Sequence, residues 1–504
     1  MSSSFNTLII SDLHLGEDLS PSANEATSRH VDLVERQLVG FFQHYSRRRE
    51  DGRSWRVVVN GDMVDFMSIT ILPNRPELAR LVADRGHDDD EFGLRRTINA
   101  TMVKVKMVAE RHADLMAAMA KFVARRHRID IICGNHDVEF TWRDVQAEFK
   151  QAVVDAYHRL PESQRAGAAS DQDIKDGIGF HPWFFYEPGV AWIEHGHQYD
   201  ENCSFDYGLN PMHPARNEIV TNVDTAGTRY LTNYVREIDA HAQEDWSGLG
   251  YVRFAMSLGV RGTLRTAKAY HAFARALLSV RKATMGPRAR RVRKPGHDRR
   301  LLELADEWSL EPSLLRDLDS LKRTPVISNM PRMMSILMLD KVLIVGITVV
   351  ATLIAMLLWG LAWGSVAGFA AMFVASVLVW LVDRGRDVDP ATPLKLVPER
   401  ILARIDAQYC IFGHTHKPLR MGIEGGGVYL NTGTWLPSGK PGLLRAFTHV
   451  MIRHSGSGAS AQLMQWRDGA SRPFTDGGRL SKSSAAMSVQ RADETSPSIS
   501  AEAR

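Results

Sequence analysis

Short apolar runs rich in β-branched and aromatic residues recur along the chain, and five of them end in the same kind of polar cluster. Residues 7–10 lead into Ser11-Asp12-Leu13-His14, residues 55–59 into Asn60-Gly61-Asp62-Met63-Val64-Asp65, and residues 129–133 into Gly134-Asn135-His136-Asp137. Further on, residues 190–193 lead into Glu194-His195-Gly196-His197, and residues 407–412 into Gly413-His414-Thr415-His416. Runs of this kind, bounded by Gly, Asn and Asp, predict strands. Between the first three lie stretches of helical period, at about 29–49 and 97–126. That alternation predicts βαβ units and a parallel sheet.

A second pattern is the absence of any charge over residues 342–382. As one helix, about 41 residues would measure about 60 Å, twice the ~30 Å hydrocarbon core of a bilayer. Two spans of about twenty residues fit it. The turn is expected within 359–365, where two glycines allow a bend and two tryptophans suit an interface. Lys322, Arg323, Arg332 and Lys341 precede this stretch, and Arg384, Arg386 and Lys395 follow it. By the positive-inside rule both ends face the cytoplasm. Residues 281–300 carry nine Lys/Arg against Asp298 alone. Beside a membrane hairpin, such a run suits anionic lipid headgroups, and no recognition motif accompanies it to favour nucleic acid. Residues 251–280 read as helix-rich. Residues 455–504, rich in Ser, Ala and Gly with few large apolar side chains, read as a disordered tail.

Composition narrows the picture. With 504 residues, 44% hydrophobic and 24% charged, the chain is neither disordered overall nor collagen-like. A formal net charge of +4 is too small to imply a nucleic-acid partner. Cys133, Cys203 and Cys410 are widely spaced, which fits a reducing compartment and excludes a zinc site built on paired thiolates. The first residues lack the basic and apolar regions of a secretory signal, so the N-terminus is expected to stay in the cytoplasm.

Side chains just past the carboxyl ends of strands in an α/β sheet meet in one crevice. The five clusters would therefore pool Asp, His and Asn there, a donor mixture suited to hard or borderline divalent cations. In extended chain, residues i and i+2 point to the same side, so Asp12 with His14, and His414 with His416, can each reach one centre.

The ordered series Asp12-x-His14, Gly61-Asp62-x-x-Asp65, Gly134-Asn135-His136-Asp137, His195-Gly196 and Gly413-His414-x-His416 resembles the calcineurin-like metallophosphoesterase family, over about residues 1–200 and 400–450. The greatest similarity is to its UDP-2,3-diacylglucosamine pyrophosphatase-like branch. It rests on residues 11–15 (Ser-Asp-Leu-His-Leu), His195-Gly196, residues 413–418 (Gly-His-Thr-His-Lys-Pro) and residues 431–435 (Asn-Thr-Gly-Thr-Trp). His136 and His197 stand where that branch carries Arg and Asp. The resemblance implies an α/β protein, a four-layer αββα metallophosphoesterase sandwich, here with a long helical insertion containing a two-span transmembrane hairpin. It also implies two divalent metal ions, manganese first, with iron, zinc or magnesium as alternatives. Carried over, Asp12, His14, Asp62 and His416 hold one metal, and Asp62, Asn135, His195 and His414 the other. His197 is the alternative to His195. His136 is the catalytic residue that aids the leaving group. Asp65 and Asp137 read as carboxylates that orient ligands, with a capping or turn role as the alternative for each.

The expected organisation is a core in two parts, 1–209 and 384–454, separated by a helix-rich basic insertion at 210–340 and the hairpin at 341–383, with the tail at 455–504. Because His414 and His416 must join Asp12 and His14, the chain between them must cross a membrane an even number of times. The expected function is a membrane-anchored phosphohydrolase, multi-pass and facing the cytoplasm, that cleaves a phosphoester or pyrophosphate bond with metal-activated water. Its phosphorylated substrate is expected to be lipid-linked, and the hairpin and basic insertion to meet membrane lipids. Two alternatives are a phosphodiesterase on nucleic acid or nucleotides, and a non-catalytic membrane adaptor.

Overall fold

A computed structural model describes residues 5–475, apart from residues 22, 166–168, 236–258, 338, 385–390, 438–444 and 457. The chain is a mixed α/β structure with two mixed sheets. The first has the order β12-β11-β10-β1-β2-β3-β4, formed by β1 (Phe5–Ile10), β2 (Ser54–Asn60), β3 (Arg128–Ile132), β4 (Ile178–His181), β10 (Thr448–Ser455), β11 (Gly458–Arg467) and β12 (Ala470–Pro473). The second has the order β5-β6-β7-β9-β8, formed by β5 (Phe184–Glu187), β6 (Ala191–Glu194), β7 (Tyr409–Phe412), β8 (Leu419–Gly422) and β9 (Val428–Asn431). β1 to β4 run parallel, as do β6, β7 and β9.

Period-two patterning assigns the faces. In β1 and β2, Leu8, Ile10, Val57 and Val59 pack with the helices Glu25–Ser46, Ala113–Ala124 and Arg143–Arg159. Ile9 and Val58 point the other way and join Ile193, Ile411 and Leu430 of the second sheet in a core between the two sheets. The outward residues Trp192, Cys410, Phe412 and Tyr429 meet Leu301, Leu315, Leu394 and Ile401 of the helices Pro287–Glu307, Pro312–Asp319 and Ala391–Leu402. Helices, sheet, sheet and helices thus follow one another, each apolar face covered.

The helical stretch expected at 97–126 is two helices, Ile98–Arg111 and Ala113–Ala124, because His112 between them leaves the helical conformation. Its Nδ1 lies 3.1 Å from Glu35 Oε2. Part of the expected tail is ordered: residues 458–473 are β11 and β12, with Leu463, Met464 and Trp466 buried. Small residues at alternate positions (Ala459, Ala461) concealed a strand pattern. The remainder, 476–504, lies outside the described residues, as do residues 251–258 of the helix-rich stretch.

Downstream of β6, the helix Gly259–Thr284 packs through Phe273, Leu277 and Val280 on Val326, Met333 and Leu337, a cluster separate from both sheets. There follows a long apolar helical stretch, Leu339–Arg384, interrupted at Gly360 (φ 75°, ψ 170°). Its two arms touch: a Cβ on Gly364 would lie 2.3 Å from Met356 Cα, and one on Gly368 2.5 Å from Thr352 Cγ2. The outer surface is strongly apolar, with Leu357 86% and Phe369 73% exposed.

Candidate metal centre

The turns that follow β1, β2, β3, β6 and β7 meet at one edge of the paired sheets. Their backbone is strained there. Asp12, His14, Asp62, His414 and His416 have φ of 54°, 45°, 53°, 67° and 56°. Non-glycine residues seldom adopt this left-handed region, and strain of about 1–3 kcal/mol each must be opposed by surrounding contacts. Those contacts are present. The Leu13 and His14 amides donate to the Asp62 carbonyl at 2.9 and 3.0 Å, and the Asp12 amide to the Gly61 carbonyl at 3.2 Å. The His414 amide donates to Asp12 Oδ2 at 3.2 Å. Two glycines permit the approach: a Cβ on Gly134 would fall 2.1 Å from Asp62 Oδ1, and one on Gly61 2.3 Å from His195 Nδ1.

Six of the seven sequence-predicted ligands meet directly. His416 Nε2 lies 3.1 Å from Asp12 Oδ1, although 404 positions separate the two residues. His195 Nε2 is 3.2 Å from Asp62 Oδ2 and 3.2 Å from Asn135 Oδ1. The same Asp62 oxygen is 3.9 Å from His14 Nε2, so it stands between the two sides of the cluster. The seventh, His414, adjoins through its ring, 5.3 Å from that of His195. Its Nε2 faces Asp200 Oδ2 at 3.2 Å, which leaves Nδ1 free of that carboxylate. His197 lies behind His195, ring centroids 5.6 Å apart, and belongs to none of the compact donor groups. Of the two candidate middle histidines, His195 is therefore the one in the cluster.

His136 adjoins this cluster and forms one compact donor group with His14 and Asp62. Asp65 Oδ1 faces its Nδ1 at 3.1 Å. Asp65 also accepts from the Met67 and Ser68 amides at 3.1 and 3.0 Å. Asp137 points away from the donors and ties two turns together, accepting from the Gly134 and Met63 amides at 2.7 Å each.

The donor set fits divalent cations. Burial opposes the charge on Asp62, yet the imidazoles of His195, His136 and His14 outweigh it and hold the carboxyl well below its usual range. Asp65 is held well below by His136 and His14 in the same way, against burial. Conversely, burial would lower His195, but Asp62 and Asp12 lift it to about 9. Protons on imidazoles thus balance buried carboxylates where cations would do so instead. His14 Nε2 is buried with no hydrogen-bond partner among the described residues. Separations of 3.1–3.9 Å between donors suit a shared cation whose bonds are each about 2.0–2.2 Å.

Sequence reasoning missed three contributors. Asp200 holds His414, and Ser11 joins Asp12 to Thr432, its hydroxyl bonded to the Asp12 carboxylate and 2.6 Å from Thr432 Oγ1. Asp224, from the segment read as insertion, accepts from Asn135 Nδ2 at 3.0 Å and lies 3.5 Å from His136 Nε2. The proximity of residues 431–435 to the Gly413 turn in sequence pointed toward Thr432, whereas nothing local marks Asp224.

Comparison of the chain with protein families, curated proteins and solved structures finds no match.

Proposed function

We propose that the protein is a membrane-anchored, metal-dependent phosphohydrolase of the calcineurin-like metallophosphoesterase kind. The observation that carries this reading is the approach of Asp12, His14, Asp62, Asn135, His195 and His416 from five separate strand ends. Buried carboxylates and an unpartnered buried imidazole nitrogen accompany it. The helix–sheet–sheet–helix order agrees with the sandwich that the sequence resemblance implies.

In this reading Asp12, His14, Asp62 and His416 hold one cation, and Asp62, Asn135, His195 and His414 the other, manganese being the first candidate. Two such cations would balance the charge of a phosphoryl group and bring the pKa of a water toward neutrality. Asp62, placed between the His14 and His195 sides, is the carboxylate both would share. Asn135 can ligate without adding negative charge. His136, its Nδ1 facing Asp65, keeps a proton for the oxygen of the departing group. Asp200 orients His414 from behind, the usual arrangement of a metal-binding imidazole.

The apolar stretch Gly346–Trp380, broken at Gly360, is read as a two-span hairpin that fixes the protein to a bilayer, with both ends on the cytoplasmic side. Counted over the whole helical stretch Leu339–Arg384, the arms 339–359 and 361–384 hold 21 and 24 residues, enough to match the ~30 Å hydrocarbon core. An anchor of this kind and the exposed cations Arg288, Arg290, Arg291 and Arg299 favour a lipid-linked or headgroup phosphoester or pyrophosphate as substrate.

The test is hydrolysis of a chromogenic phosphodiester and a phosphomonoester by the purified full chain with Mn2+. Turnover that disappears with a chelator and returns with Mn2+ is expected. No turnover of either compound with any divalent ion would favour the adaptor instead.

A further inference from the structure

Asn135 is the one proposed ligand whose useful end is not dictated by its own chemistry. Its amide has an oxygen that can hold a cation and a nitrogen that cannot. In the structure Nδ2 donates to Asp224 Oδ2 at 3.0 Å, which leaves Oδ1 on the side of His195 Nε2, 3.2 Å away. An ionised carboxylate accepts only, so Asp224 selects the nitrogen and turns the oxygen inward. The same Asp224 oxygen lies 3.5 Å from His136 Nε2, while Asp65 faces the other ring nitrogen at 3.1 Å. A carboxylate thus lies near each ring nitrogen.

Asp224 is itself held firmly. It lies on the short helix Val223–Gly227, capped by Asn222, which accepts from the Thr225 amide at 2.9 Å and donates to the Cys203 carbonyl at 2.7 Å. Buried Arg96 grips Glu139 through two bonds of 2.6 and 2.9 Å and reaches Thr225 Oγ1 at 3.4 Å. Glu139 follows the Asn135 turn by two residues past Asp137. The turn and the segment bearing Asp224 are therefore clamped to one another. The same insertion continues toward the apolar hairpin. On the way, the Arg323 and Val326 amides donate to the Gln198 and Glu201 carbonyls, each at 2.9 Å, on either side of Asp200.

We propose that Asp224 is a positioning residue for Asn135 and His136, so that the inserted segment completes the metal centre as well as tethering it. The proposal rests on the metal-centre reading above. Its test is Mn2+ binding to the full chain in detergent, followed by electron paramagnetic resonance of free Mn2+, for wild type, Asp224→Ala and Asp224→Asn, with unfolding midpoints of the metal-free proteins alongside. In Asp224→Ala the second Mn2+ equivalent is expected to bind about 10- to 100-fold more weakly, the scale of a lost outer partner of a ligand, while the first is unchanged. Asp224→Asn keeps an oxygen for Asn135 Nδ2 but can also donate, so it is expected to weaken the second equivalent less than Asp224→Ala does. The carboxylate is 28% exposed, so metal-free midpoints should match among the three. An unchanged second equivalent in Asp224→Ala, or a loss that follows a lowered metal-free midpoint, would overturn the proposal alone. Equal loss in both variants would also overturn it, since the amide role predicts a difference. A wild-type chain that takes up no Mn2+ overturns the metal-centre reading and this proposal with it.

Discussion

Asp62 and His136 are in contact, the His136 amide donating to Asp62 Oδ1 at 3.0 Å, yet the two are expected to respond differently to substitution. Asp62→Ala removes the carboxylate placed between both halves of the site, so bound metal and turnover should vanish together. His136→Ala should keep its metal and slow kcat by about 10²–10⁴-fold, the usual scale of general acid help. Metal analysis beside steady-state kinetics separates the two, and metal loss in His136→Ala would make it a ligand. A different histidine governs acid stability. The Trp55 amide donates to His127 Nδ1 at 2.9 Å, so that nitrogen must stay unprotonated. Burial pushes His127 down to about 4. The unfolded chain therefore takes up this proton first, and the stability concerned is complete above about pH 6.5 and lost as pH falls toward 4. At most about 3 kcal/mol is involved. His127→Asn, which keeps an acceptor without titrating, should flatten the pH dependence of the denaturation midpoint across that window; an unchanged slope would refute it. Asp12, His14, Asp62 and His416 were legible because alternation and glycine-flanked acids are local features. Asp224 was not, since only the folded insertion brings it to Asn135.

At the scale of elements, the apolar stretch Leu339–Arg384 turns at Gly360, whose φ of 75° and ψ of 170° suit glycine alone. Contacts pair 356 with 364 and 352 with 368, symmetrically about that residue. A Cβ on Gly368 would lie 3.5 Å from Thr352 Cβ, within the span a disulfide requires. Thr352→Cys with Gly368→Cys should cross-link on oxidation, seen as a mobility change on a denaturing gel. Adding Gly364→Leu, which drives a side chain into the Met356 backbone, should lower the yield. No cross-link in the double-cysteine protein would contradict the paired arms. The length and lack of charge of this stretch were readable from the chain, and its glycines marked where it could bend. The pairing of its arms was not readable, because helix-to-helix contact leaves no local pattern. β11 was hidden for another reason: its inward positions begin with Ala459 and Ala461, too small to register as an apolar alternation, and large buried residues appear only from Leu463 onward, with Met464 and Trp466.

For the whole molecule, the first sheet sets β1, from the start of the chain, between β2 and the late strand β10. The turns after β1 and β7 then meet, bringing Asp12 beside His416. An α/β core with its polar clusters gathered at strand ends was foreseeable from the motifs, whereas a second sheet was expected only through the family resemblance. The clamp of the insertion on the Asn135 turn was not foreseeable, because Arg96, Glu139 and Thr225 acquire meaning only through tertiary contact. Replacing residues 342–382 by a short linker should yield a soluble protein that still hydrolyses phosphoesters with Mn2+. A folded but inactive product would mean that the hairpin shapes the site. The most direct measurement is the metal content of the full chain after equilibration with Mn2+, with Asp12→Ala and His416→Ala beside it. Two equivalents are expected for the wild type, and each variant should lose one, although the substitutions lie at opposite ends of the polypeptide. No bound Mn2+ in the wild type, or two in His416→Ala, would contradict the account.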